Sequence, residues 1–156
     1  MPKRDYLDDP AAPKANSIVP AASAFVQDEA GRVLMIRRTD NDLWAIPGGG
    51  QDVGETIAQT AVRETLEETG IDIEITGLVG IYSNPAHVIS YDDGEVRQEF
   101  SVCFRARPVG GEPQTSSESR EVHWVEPADL DDLNIHPSVR LRIDHGLTGS
   151  AAPYYD

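Results

Sequence analysis

The chain has 156 residues, 39% of them hydrophobic, and a formal net charge of −14. One hydrophobic core suits that length and two do not, and so acidic a balance excludes binding of nucleic acid by phosphate neutralisation, which calls for a basic patch; an anionic substrate would need metal ions as a bridge. A single cysteine, Cys103, excludes an internal disulfide, no apolar run approaches the ~20 residues of a membrane span, and no charged-then-apolar signal peptide opens the chain, so a cytoplasmic protein without a membrane partner is expected.

Residues 1–16, MPKRDYLDDPAAPKAN, mix charges with three prolines and carry no periodicity. They read as an N-terminal arm, with Tyr6 and Leu7 as candidate anchors, ahead of one domain over residues 17–147 and a loose tail over 148–156. Ser17 to Gln27 and Arg32 to Arg38 are strand-like runs around the turn Asp28-Glu29-Ala30-Gly31, and the expectation is that they pair as a hairpin. Arg37 and Arg38 end the second run, where they either reach a substrate phosphate or form exposed salt bridges. Trp44 either stacks on a base or, as is commoner in a strand leading to Pro47, lies in the core. Glycines 48 to 50 let the backbone approach a ligand closely.

Thr56 followed by Gln59 fits a capping box, and Gly70 can take the left-handed conformation that ends a helix, so a helix of about four turns is expected from Ile57 to Gly70. At ~100° per residue Ile57, Ala58, Ala61, Val62 and Leu66 gather on one side, and Glu64, Glu67 and Glu68 on another. Like charges at these spacings each cost roughly 0.2–0.5 kcal/mol, the last turn disfavours anions, and Arg63 compensates only in part. A divalent cation against that face removes the cost, and hard oxygen ligands suit Mg²⁺ or Mn²⁺.

Gly49, five residues, Glu55, seven residues, then Arg63 to Ile71 as RETLEETGI resembles the Nudix box, Gx5Ex7REUxEExGU. The only departure is Thr65, where the pattern asks for a large aliphatic residue. The lead-in Trp44 to Gly49 and the surrounding strands extend the likeness to about residues 18–147. The resemblance implies an α/β fold, a Nudix-type α/β/α sandwich with a mixed β-sheet. It implies that Glu64, Glu67, Glu68 and the Gly48 carbonyl hold metal, that Arg63 orients a neighbouring carboxylate and that Glu55 braces the loop. The general base of such enzymes is either a box glutamate, here Glu64, or one from a later loop. For the latter Glu118, in the segment SSES before a strand, is the candidate and Glu121 the fallback.

Beyond the helix, Ile71 to Tyr82 reads as a strand broken at Gly77, Ser83 to Gly94 as a loop that could set specificity, and Glu95 to Pro108 as a strand burying Phe100, Val102, Phe104 and Ala106 with Cys103 on the other face. Val109 to Ser119 is a linker, Arg120 to Val125 a strand, Pro127 to Leu133 a short helical turn and His136 to Leu147 a helix with Pro137 in its first turn. The histidines at 87, 123, 136 and 145 have no partners at metal-ligand spacing, so no zinc is expected.

Three clustered carboxylates support metal-assisted hydrolysis of a phosphoanhydride, and the resemblance implies as substrate a small nucleoside diphosphate joined to another group, ADP-ribose-like or nucleotide-sugar-like. Pyrophosphohydrolysis of oxidised or non-canonical nucleoside triphosphates, and a sensor that binds such a nucleotide without turnover, are the alternatives. A homodimer is left open.

Overall fold

The computed structural model describes residues 3–156. In chain order the elements are β1 (Lys3–Leu7), β2 (Ser17–Val26), β3 (Val33–Arg38), β4 (Trp44–Ala45), β5 (Gly48–Gly50), α1 (Ile57–Thr69), β6 (Ile71–Tyr82), β7 (His87–Tyr91), β8 (Val96–Gly111), β9 (Ser119–Val125), a 3-10 turn (Pro127–Asp132), α2 (Pro137–Leu147) and β10 (Tyr154–Tyr155). A mixed sheet runs β1-β7-β8-β2-β5, with β6 also on β8 and β10 on β6; a second, three-stranded sheet runs β4-β3-β9. β2 and β3 are both buried on two sides. Ala24, Val26, Leu34 and Ile36 enter the cluster that Val62 of α1 covers, whereas the alternate residues Phe25, Val33 and Met35 enter the cluster that holds Ile143 of α2. That is the α/β sandwich, one helix on each side.

The expected hairpin does not form. Its turn is sound, with Asp28 Oδ1 accepting from the amides of Ala30 and Arg32, but only the Gln27–Val33 bridge joins the two strands. Both edges of β2 are taken, by β8 in parallel and by β5 antiparallel, so β3 leaves to pair with β4 and β9.

The first part of the arm is a strand, and residues 8–16 are turn and irregular chain. Lys3 to Leu7 pair antiparallel with β7, which itself forms inside the segment read as a loop; residues 1 and 2 lie outside the described residues. The tail returns too, with Tyr154 and Tyr155 pairing parallel to Gly80 and Ile81. Gly77 is a register irregularity and does not break β6. In β8 the alternation has the expected period but the opposite face is the deeper one. Ser101 and Cys103 are buried while Phe100, Val102 and Phe104 are half-buried, because Cys103 lies beside Ser23 over the α2-side cluster; Ala106 is buried as expected, in the α1-side cluster.

Helix α1 has both bonds of the capping box, Gln59 N to Thr56 Oγ1 at 3.1 Å and Thr56 N to Gln59 Oε1 at 2.8 Å, and Gly70 closes it at φ 75°. Its inward face differs from the apolar stripe. Thr60, Ala61, Thr65, Glu68 and Thr69 are buried, and Leu66 is half exposed at 49%. Small side chains bring the helix close to the sheet, and the buried hydroxyls are satisfied by the preceding turn, Thr65 Oγ1 donating to Ala61 O and Thr69 Oγ1 to Thr65 O. Thr65 in the box is therefore an inward residue with its polar group paired.

Candidate active site

The glycine run is itself a strand. Gly48 and Gly49 pair with Ser23 and Ala22 of β2, and they lie against Glu68 and Glu64 of α1 respectively. A Cβ on Gly49 would meet the Glu64 carboxylate at 2.5–2.7 Å, so only glycine leaves that carboxylate where it is. The Gly48 amide donates to Glu68 Oε2 at 3.0 Å.

One carboxylate oxygen from each of Glu64, Glu68 and Glu118 lies within 4.8 Å of the others. Glu118 comes from the turn before β9, which is held rather than loose: Thr39 N–H donates to Glu118 O, and Thr39 Oγ1 to Ser117 O. Glu68 is 2% exposed. Burial pushes its pKa up to about 8, helped by the charges of Glu64 and Glu118 and opposed by the Gly48 amide and Arg38. Glu64 is also raised, by burial first, with Glu67 and Glu118 adding and Arg63 opposing. These acids repel one another, and Arg63 and Arg38 offset that only in part, which leaves a donor set that a hard divalent cation fits.

Arg63 organises the other side of the cluster. It grips Glu55 with two bonds, Nη2 to Oε1 at 2.7 Å and Nε to Oε2 at 2.9 Å, donates to Glu64 Oε1 at 2.9 Å and to the Gly50 carbonyl at 3.1 Å, and reaches Glu67 at 3.3 Å. Arg63, and after it the Asp52 amide, lower the Glu55 pKa to about 2. Glu55 thereby ties the loop ahead of α1 to the helix.

Glu67 stands apart from the three converging acids, exposed and engaged with Arg63. At the helical repeat it lies ~60° from Glu64 on the side opposite Glu68, and the sheet is against Glu68. Arg37 is also elsewhere, paired with Asp42 at 2.6 Å and Glu121 at 2.9 Å, and Glu121, so held, is outside the cluster. Arg38 is inside the cleft. It binds Asp40 through two bonds of 2.9 Å and lines both of its compartments.

Those compartments are a polar cavity of about 470 Å³ that contains Glu64, Glu68 and Glu118, and an adjoining one of about 170 Å³ that contains Trp44, His87, His136 and Arg142. Lys3, Ala21, Arg38, Gly48, Gly49 and Glu99 line both. Trp44 is half-buried, packing on the core beneath and facing the cleft above. Lys3 and Asp5, from the N-terminal strand, and Glu99 and Arg142 have no local sequence pattern that marks them; only the pairing of β1 with β7 brings the first two to the cleft.

A family model for the NUDIX domain matches residues 18–143. The chain belongs to the Nudix family. A MutT-like protein of Streptomyces ambofaciens is 36% identical over 128 residues, 80% of this chain and 75% of that protein. A putative 8-oxo-dGTP diphosphatase of Bacillus subtilis is 31% identical over 109 residues, 70% and 67% of the two chains. Among solved structures, an ADP-ribose pyrophosphatase from Streptococcus suis 89-1591 superposes with a TM-score of 0.67 at 24% identity, covering 90% of this chain and 97% of that one, which shows the shared fold. As a Nudix hydrolase the protein is a pyrophosphohydrolase of the kind that acts on small nucleotide-derived substrates with divalent metal. Its box runs from Gly49 to Ile71 and includes Glu64 and Glu68. No helix among the described residues is long and apolar enough to cross a membrane.

Proposed function

We propose that this Nudix hydrolase cleaves a phosphoanhydride in a nucleoside diphosphate joined to a second group, ADP-ribose-like or nucleotide-sugar-like, with Mg²⁺ or Mn²⁺ at Glu64, Glu68 and Glu118. The observation that carries this reading is the convergence of those three carboxylates in the larger compartment of a two-part cleft. A bound divalent ion neutralises the diphosphate and lowers the pKa of water to within reach of neutral pH. The chain's own residues set the geometry. Glu68 is locked by the Gly48 amide, Glu64 is aimed by Arg63 over Gly49, and Glu55 fixes Arg63 in turn. The Gly48 carbonyl is a further ligand in this reading. Arg38 is the cation available to a phosphate, and Glu118 is the base or a further ligand. The smaller compartment, with Trp44 on its wall, holds one end of the substrate.

The competing reading, pyrophosphohydrolysis of oxidised or non-canonical nucleoside triphosphates, draws on the name of the Bacillus subtilis relative. A panel of ADP-ribose, nucleotide sugars and 8-oxo-dGTP, assayed with Mg²⁺ and with Mn²⁺, decides between them by product. A nucleoside monophosphate plus a second phosphorylated fragment is expected. Release of pyrophosphate from the triphosphate alone would establish the competitor, and binding without turnover across the panel would establish a sensor.

A further inference from the structure

Three residues far apart in sequence meet at the other end of the cleft. Asp5 Oδ1 lies 2.8 Å from His87 Nε2 and 3.4 Å from His136 Nε2, and the three potential ligand atoms all fall within 4.8 Å of one another. The imidazole rings are stacked, 12° from parallel with centroids 5.6 Å apart, so both Nε2 atoms face one carboxylate. We propose that Asp5, His87 and His136 form a second metal site, for a borderline divalent ion of the zinc class, separate from the glutamate cluster.

The ligand chemistry separates the two sites. Two imidazoles and a carboxylate suit Zn²⁺, Co²⁺ or Fe²⁺, whereas all-oxygen acids suit Mg²⁺ and Mn²⁺. An ion bound tetrahedrally at about 2.0–2.2 Å holds its ligands roughly 3.4 Å apart. Asp5 and His136 already have that separation, and Asp5 and His87 need to open by about half an ångström. Each ligand rides on its own element: Asp5 on β1, His87 at the start of β7, and His136 as the cap of α2.

Without metal the same groups satisfy one another. The Ser138 amide donates to His136 Nδ1 at 3.2 Å, which puts the imidazole proton on Nε2, toward Asp5. Metal at Nε2 requires the other tautomer, which gives up the bond from the Ser138 amide, and Ser138 Oγ, 2.8 Å from Nδ1, is placed to accept the relocated proton as an outer-shell partner. Lys3 and Arg142 line the same cavity and oppose a cation, while Glu99 offsets them in part. Three protein ligands in that setting give weaker binding than a closed four-ligand site, and they leave a coordination position open to the cavity. Occupancy ties the edge strand β1 to α2.

Spacing along the chain conceals this set, because residues 5, 87 and 136 are joined only by the pairing of β1 with β7 and the packing of α2.

The site is tested by titrating Co²⁺ into protein carrying Glu64→Gln and Glu68→Gln, which disables the oxygen cluster, and reading the visible absorption of the bound ion. One Co²⁺ per chain is expected, displaced by Zn²⁺ and indifferent to excess Mg²⁺. Asp5→Asn and His87→Gln, added singly, should each weaken uptake at least tenfold. Asp5→Asn lies on an edge strand and preserves both histidines, so it decides the matter if circular dichroism shows that His87→Gln does not fold. Absence of a visible band, or uptake that neither substitution changes, overturns the proposal. The outcome is independent of turnover, since the variant used lacks the glutamates assigned to catalysis.

Discussion

Glu68 Oε2 accepts a hydrogen bond from the Gly48 amide at 3.0 Å, and this joins the last turn of α1 to the strand that carries the glycine run. The bond fixes one oxygen of a carboxylate that is 2% exposed, and Arg38 offsets its charge only in part.

A pH dependence follows from that burial. In the metal-free protein the Glu68 pKa is raised from 4.5 to about 8. Its contribution to stability is therefore fully present below pH 4.5 and is lost as pH rises toward 8, since the unfolded chain gives up the proton first. Each unit by which the two pKa values differ is worth about 1.4 kcal/mol, enough to read in a melting curve. With chelator present, Tm should fall across that window. Glu68→Gln should flatten the fall, and saturating Mg²⁺ should raise Tm most at the alkaline end, by mass action. A Tm indifferent to Mg²⁺ at pH 8 would show that these acids do not bind the ion.

The two adjacent glycines should fail in different ways. A Cβ at Gly49 meets the far end of a flexible side chain, the Glu64 carboxylate, whereas one at Gly48 meets the Ala22 carbonyl at 2.5 Å and the Ser23 Cα at 2.9 Å. Gly49→Ala should fold with little loss, within about 1 kcal/mol, and lower kcat by ~10² through displacement of Glu64. Gly48→Ala pushes on backbone and should cost roughly 1–3 kcal/mol in a denaturant titration. Equal losses of stability in the two variants would contradict this division.

Much of the active-site helix was legible because its signals are local. Thr56, Gln59 and Gly70 define its ends with bonds spanning a few residues, and the i, i+4 spacing of Glu64 and Glu68 places both on one side whatever the rest of the chain does. What failed depended on partners distant in sequence. Nothing in SIVPAASAFVQ reveals that β8 takes one edge of that strand in parallel, and so the hairpin with β3 was the natural reading. Leu66 looked like a core residue and Thr65 a departure; the close approach of helix to sheet reverses them, since small hydroxyl residues fit the gap and pair their own polar groups. Lys3, Asp5 and His87 reach the cleft only through a strand pair separated by about eighty residues.

The arginine pair divides by geometry. Arg38 lines the cleft, and Arg37 is committed to Asp42 and Glu121. Arg38→Ala should raise KM about tenfold or more, the value of a charge-assisted hydrogen bond to a phosphate. Arg37→Ala should leave kcat/KM within about twofold, because surface ion pairs contribute little. Steady-state kinetics on the preferred substrate of the panel checks both, and a larger KM effect at Arg37 would reverse the assignment.

Glu118 poses the sharpest question, because it shares the 4.8 Å cluster with Glu64 and Glu68 yet comes from a different element. A group that only deprotonates water can be lost with metal affinity intact, whereas a ligand cannot. If Glu118 is the base, Glu118→Gln should lower kcat by ~10²–10⁴ while the Mg²⁺ concentration for half-maximal rate stays near the wild-type value. If it is a ligand, that concentration rises, as it should for Glu64→Gln and Glu68→Gln. The turn that carries it is held by Thr39 through two bonds to its backbone carbonyls, so the substitution changes the carboxylate and leaves its support in place. Activity measured against Mg²⁺ concentration for all three variants, beside direct metal binding by calorimetry, separates the roles, and wild-type turnover in Glu118→Gln would return the base to Glu64.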